Sequence, residues 1–183
     1  MVVNGYRIEP GAHLNRASLS LAHLAVADLT GADLAEADLS GANLLGANLS
    51  LSNLAGANLP LARLGGAYLP MSDLRHADLR RAFLREANLS LVDLTGANLG
   101  GADLASANLS GATLVRADLT KALAIAANFR EAKLCHANLR RADLRGADLR
   151  DSDLTGADLR GANLRGVKLA GARLPDGSRH LPA

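Results

Sequence analysis

Between Leu14 and Leu174 an apolar residue stands at every fifth position with no insertion or deletion, and a small residue precedes it by two. Of the 33 positions in that series 31 are Leu, the exceptions being Ala124 and Phe129. Two residues earlier stands Ala in 28 repeats, Ser52, Ser72 and Ser152 in three, and Val92 and Val167 in the other two. The period excludes an α-helix, because five residues advance a helix by about 500° and spread Leu around the cylinder. An extended segment fits: residues two apart share a face, so Ala and Leu point inward and the residue between them outward. The remaining two residues must turn the chain.

Their chemistry suits a turn, as in Thr30-Gly31, Ser40-Gly41, Thr95-Gly96, Ser110-Gly111 and Thr155-Gly156, with Pro60 and Pro70 elsewhere. Gly accepts positive φ and Pro presets φ near −65°. The outward residue is Asp in 12 repeats and Asn in 10, short polar groups that suit a solvated wall. The unit A(D/N)LxG resembles the pentapeptide-repeat family over 161 of the 183 residues. That resemblance implies an all-β fold, a right-handed quadrilateral parallel β-helix with four pentapeptides per coil. The residues alone leave three or four sides open, although Leu51, Met71 and Leu91, spaced by twenty, favour four. A solenoid of about 8 coils at ~4.8 Å each would be roughly 40 Å long.

Composition changes the picture little. The chain is 49% hydrophobic but only 2% aromatic, which suits a narrow column of Leu and Ala better than a globular core. One repeat domain, 14–174, is expected, with 1–13 as an N-terminal cap and 175–183 as a C-terminal tail. Val2, Val3, Tyr6 and Ile8 are the residues that would cover the first coil. The formal charge of +2 excludes a strongly acidic or basic protein overall. Residues 1–74 hold 3 basic and 6 acidic groups and residues 75–183 hold 17 and 12, so any electrostatic partner is selected locally. Cys135, the single cysteine, allows no internal disulfide. With no long apolar run and no secretory pattern in residues 1–10, a cytoplasmic protein off the membrane is expected.

Candidate chemistry lies on the outside. Leu51, Met71 and Leu91 stack at one edge beside Tyr68, forming either a partner-binding strip or side chains lying back on the adjacent wall. Arg80, Arg81, Arg140, Arg141 and Arg160, with Lys121, line another edge as a basic ridge about 20 Å long, which either meets phosphates or is neutralised by Asp78, Asp118, Asp143 and Asp158. Asp28, Asp33, Glu36 and Asp38 form a candidate acidic wall. Leu164, Leu169 and Leu174 would sit in an end coil with open strand edges, the basis for an end-to-end homodimer. Cys135 and His136 adjoin at a turn, where neighbours need not face each other and no third group orients the His. His13 and His23, ten apart, fall on opposite walls and cannot share a metal. Neither a cofactor nor an enzymatic activity is expected.

These features point to a non-enzymatic scaffold that offers its outer walls to another macromolecule, in the first place a protein. The resemblance adds a named alternative, since the best known relatives bind DNA gyrase or topoisomerase IV and protect it from quinolone-like poisons by resembling duplex DNA. Such mimicry needs sustained negative charge, which here only the walls bearing Asp28, Asp33, Glu36 and Asp38 could supply. Nucleic-acid contact through the Arg edge is a further alternative, one that the scarcity of aromatic residues confines to phosphates.

Overall fold

The computed structural model describes residues 1–180, so residues 181–183 of the expected tail lie outside the described residues. Each repeat presents its outward residue to a parallel bridge, flanked by the inward Ala and Leu. Bridges join residues twenty apart, as in the run Asp33, Asn53, Asp73, Asp93. Bridged residues are therefore four repeats apart, and the outward residues fall into four columns. The architecture is a repeat β-helix solenoid, with no helix among the described residues.

Backbone pairing follows the same beat. The N–H of Leu34 reaches Asn53 O at 2.7 Å and that of Glu36 reaches Ala55 O at 2.9 Å, while Asp33 N–H returns to Ala12 O at 2.9 Å. Within the repeat, Ala37 N–H closes a four-residue turn on Leu34 O at 3.0 Å. A positive φ at the third residue alone marks such a turn as type II, which also explains Pro60 and Pro70 at the second position. Every fifth residue from Gly11 to Gly171 has positive φ, fourteen of them Gly and nineteen not. The edge that the sequence lets Gly relieve also holds larger residues in the same conformation, including the β-branched Val26 at φ 52°.

The column interior is filled. Leu from Leu14 to Leu154 and the Ala two before each are buried, and Ser52, Ser72 and Ser152 satisfy their hydroxyls on Leu49, Leu69 and Leu149 carbonyls at 2.5, 2.7 and 2.7 Å. Ala124 and Phe129 are both fully buried and Leu123 keeps its bridges to Asp103 and Asp143, so small and large residues exchange volume without a bulge.

Large side chains at the edges lean along the solenoid axis, not along the adjacent wall. A Cβ added to Gly41 would meet Leu21 Cδ2 at 2.8 Å, and one on Gly111 would meet Leu91 Cδ2 at 2.7 Å. The same holds for Gly96 beneath His76, at 2.7 Å from Nδ1. A glycine one coil on is thus a seat for the edge residue before it, as well as a relief of positive φ.

The two ends differ. At the first, strands β1 (Val2–Val3) and β2 (Tyr6–Arg7) pair antiparallel, Val3 and Tyr6 pack against the core, and Ile8 is buried. Ile8 is buried one residue before the place where the five-residue count expects Leu and the chain has Glu9. At the second, the chain folds back so that Arg179 bridges Arg173 antiparallel and His180 exchanges hydrogen bonds with Gly171 and Ala172. This return covers one wall. Leu164, 39% exposed, and the half-buried Leu159 and Leu169 remain on the uncovered sides.

Candidate functional site

The outward Asp and Asn do more than solvate a wall. Asp38 Oδ1 accepts the N–H of Ser40 at 3.1 Å, Asn48 that of Ser50 at 3.1 Å, and Asp78 that of Arg80 at 3.0 Å. Each short side chain satisfies the turn N–H two residues on, which the coil-to-coil ladder leaves unpaired. Tyr68 escapes the requirement because Pro70 has no N–H to satisfy. Along the columns, Asn58 donates to Asp38 at 2.9 Å and so parts it from Asp78, Asn128 donates to Asn108 at 2.9 Å, and where Asp73 and Asp93 are direct neighbours Arg75 lies near both.

The same two-residue reach governs the arginines. Where the repeat reads Asp-Leu-Arg, the guanidinium folds onto its own Asp: Arg75 on Asp73 at 2.5 Å, Arg80 on Asp78 at 2.6 Å, Arg145 on Asp143 at 2.7 Å and Arg160 on Asp158 at 2.5 Å, with Arg150 on Asp148 likewise. Arg85 follows Phe83 and reaches instead to Asp103, at 2.7 Å. Hydrogen bonds from these arginines hold the Asp73, Asp78, Asp143 and Asp148 carboxyls below the usual carboxylate range, and Arg160 lowers that of Asp158 to about 2. A depressed carboxylate contributes stability that is present above its unfolded value near 4 and lost as pH falls through the folded value. The melting temperature is therefore expected to stay level above about pH 4 and to fall between pH 4 and 2, as calorimetry across that range would record.

These pairs revise the basic ridge. Arg80 and Arg160 are spoken for, while Arg81, Arg140, Arg141 and Lys121 make no ion pair within 4.0 Å among the described residues. The acidic set also separates. Asp28, Asp33 and Asp38 occupy three different bridge columns, and Glu36, on an edge, is bound to Arg16 at 2.8 Å. They do not make one acidic wall.

Leu51, Met71 and Leu91 stand 59, 56 and 60% exposed at one edge, one coil apart, and Tyr68 is exposed on the preceding wall. Beyond Leu91 the strip opens into a depression of about 420 Å³ that includes Ser90, Ser110, Gly111, Arg130 and Glu131. Sequence reading missed Phe83, which lies outward at 50% exposure above an open dent formed with Leu45, Gly65, Arg63 and Arg85. Its place in the count, between Ala82 and Leu84, is an outward one, and that was the available signal.

Cys135 and His136 point apart. The thiol lies 4.0 Å from Asp153 O and burial pushes its pKa up, whereas the His136 ring sits over Gly156 of the next coil. Among the described residues no three His, Cys, Asp or Glu side chains gather at metal-binding distance, and no helix is long and apolar enough to cross a membrane.

Overlapping segments over residues 11–123 and a further segment over 127–166 match the family model described as pentapeptide repeats, in 8 copies. The chain is a pentapeptide-repeat protein. Solved structures similar to it include HetL of the cyanobacterium Nostoc sp. strain PCC 7120, a pentapeptide-repeat protein involved in heterocyst differentiation regulation. It is 37% identical over 84% of this chain and 89% of that one, with a TM-score of 0.33. A pentapeptide-repeat protein of the Arabidopsis thaliana thylakoid lumen is 28% identical over 62 and 68% of the two chains, with a TM-score of 0.39. QnrB1, a plasmid-mediated fluoroquinolone resistance protein, is 22% identical over 78 and 82%, also at 0.39. A search of curated proteins finds no match.

Proposed function

We propose that this pentapeptide-repeat protein is a non-enzymatic scaffold, a right-handed quadrilateral coil of about eight turns that binds another protein through its outer surface. The observation that carries the reading is the exposed strip of Leu51, Met71 and Leu91 beside Tyr68 on a column whose interior is filled. Large apolar side chains aligned at an edge gain by being covered, and the depression beyond Leu91 gives a partner side chain somewhere to enter. The uncovered Leu164 and the half-buried Leu169 and Leu174 support a second contact, with another copy of the chain at that end.

Topoisomerase protection by DNA mimicry is the less favoured reading. The carboxylates it requires are spread over several walls, and many are neutralised by their own arginines. Affinity capture from the native cell tests the scaffold reading. Wild type and an Arg80/Arg140/Arg160→Ser variant should retain the same partner, and a Leu51/Met71/Leu91→Ser variant should lose it. Equal capture by all three would remove the strip from consideration, and quinolone protection of gyrase in a supercoiling assay would restore the alternative.

A further inference from the structure

Along the wall of Asp38, Asn58, Asp78, Asn98, Asp118, Asn138 and Asp158, charged and neutral residues alternate coil by coil. The edge that follows this wall carries Arg80-Arg81, Gly100-Gly101, Thr120-Lys121, Arg140-Arg141 and Arg160-Gly161. Where the wall residue is Asp and the next edge residue Arg, the two neutralise each other, as at Arg80 and Arg160. Asn138 breaks that rule. Its Oδ1 still accepts the backbone N–H of Arg140 at 3.2 Å, so the turn is intact, but it offers the guanidinium no charge. Its two carboxylate column neighbours are engaged elsewhere, Asp118 by Thr120 and Asp158 by Arg160, so Arg140 acts on Asp158 through space without a direct ion pair. At Thr120 the carboxylate of Asp118 accepts the hydroxyl, at 2.5 Å, and Lys121 has no ion pair among the described residues.

We propose that Arg81, Lys121, Arg140 and Arg141 form a site for a linear phosphate chain laid along this edge. The stems of Arg81 and Arg141 lie over Gly101 and Gly161, so both cations are carried along the axis and not out to the sides. Thr120, Lys121, Asn138, Arg140 and Arg141 surround an open depression of about 320 Å³. Four cations lie within three coil steps, about 14 Å, and the carboxylates beside them, Asp78, Asp118 and Asp158, are already engaged by Arg80, Thr120 and Arg160, so their repulsion is only partly offset and an added anion relieves it. A row spaced by the coil suits a chain of phosphates better than a single ion, and guanidinium groups grip phosphate oxygens in pairs. No aromatic side chain stands on the edge itself and only Phe83, on the wall beside Arg81, is exposed nearby, so a row of stacked bases has no platform and recognition rests on the phosphates. The chain is either inorganic polyphosphate or a nucleic-acid backbone. This inference deepens the reading of the outer surface as the binding surface, but it concerns a different edge from the Leu51 strip, and the two fail separately.

Calorimetric titration with inorganic tripolyphosphate, a single-stranded oligothymidylate and polyglutamate, each at two salt concentrations, tests it. Wild type should bind the phosphate probes with steep salt dependence. Asn138→Asp, which gives Arg140 the partner that Asp78 gives Arg80, should weaken them at least about fivefold and lower the salt slope by about one. Asn48→Asp, the same charge change on another wall, should leave binding within about twofold of wild type and so excludes a net-charge effect. Both variants keep the turn acceptor; Asn138→Asp also sets a carboxylate between Asp118 and Asp158, so a small fall in its melting temperature is expected, and an unchanged circular dichroism spectrum at the titration temperature verifies the fold. Binding of tripolyphosphate alone assigns polyphosphate; affinity that also rises with oligonucleotide length assigns a nucleic-acid backbone. No binding of either phosphate probe at low salt, equal binding by Asn138→Asp, or polyglutamate binding as tight as tripolyphosphate would overturn the site.

Discussion

Leu94→Ala should lower the stability of this protein by about 2–5 kcal/mol, while Leu164→Ala should cost about 1 kcal/mol or less. Both are the inward Leu of a repeat that ends in Gly. What differs is cover: Leu94 has coils on both sides and is fully buried, whereas Leu164 is 39% exposed at the uncovered end. Truncating Leu94 leaves a void that the hydrogen-bonded walls cannot close, because each wall is tied to its neighbours by bonds of 2.7 to 2.9 Å such as Leu74 N–H to Asp93 O and Leu94 N–H to Thr113 O. Chemical denaturation of the two variants beside wild type measures the contrast. Equal losses would mean that the solenoid melts as one unit with no gradient toward its end, contrary to nearest-neighbour stacking.

Deleting Asn98 alone should abolish cooperative unfolding, and deleting the five residues 97–101 should leave a folded protein whose melting temperature falls by only a few degrees. One missing residue turns the following inward Leu outward, and because the ladder joins residues twenty apart the fault passes to the coil on each side. Removing a whole repeat restores the beat: every later Leu is inward again, and only the pairing of columns shifts by one wall. Circular dichroism with thermal melts of both deletions decides the matter. A folded single-residue deletion would show that the edge turns absorb a slip, which their continuous positive φ argues against.

Much of this fold was legible because its information is one-dimensional. The inward series of Leu and Ala needs only a count, and the volume exchange at Ala124 and Phe129 follows from it. The arginines were legible in position and not in state, since a ridge drawn by column ignores the two-residue reach that ties Arg80 to Asp78 and leaves Arg140 beside a neutral Asn138. That reach is local, so the tripeptides Asp-Leu-Arg and Asn-Leu-Arg already held the distinction. The lean of Leu91 onto Gly111 and the return of Arg179 to Arg173 are three-dimensional facts without a comparable local sign. The candidate acidic wall failed for a related reason: neighbours in sequence at five-residue spacing stand on successive walls, and only a spacing of twenty puts two residues on the same one.

Nineteen non-glycine residues at the edges hold a left-handed backbone, each at a cost of about 1–2 kcal/mol that glycine would remove, less the roughly 0.5–1 kcal/mol of chain entropy that glycine itself loses on folding. The protein thus carries an unused reserve of heat resistance, distributed in single steps along its corners. A glycine scan draws on that reserve and doubles as a chart of selection. Positions such as Val26 or Leu61 that gain heat resistance at no loss are drift, and those that gain it while forfeiting a ligand are where evolution kept a costly side chain for its use.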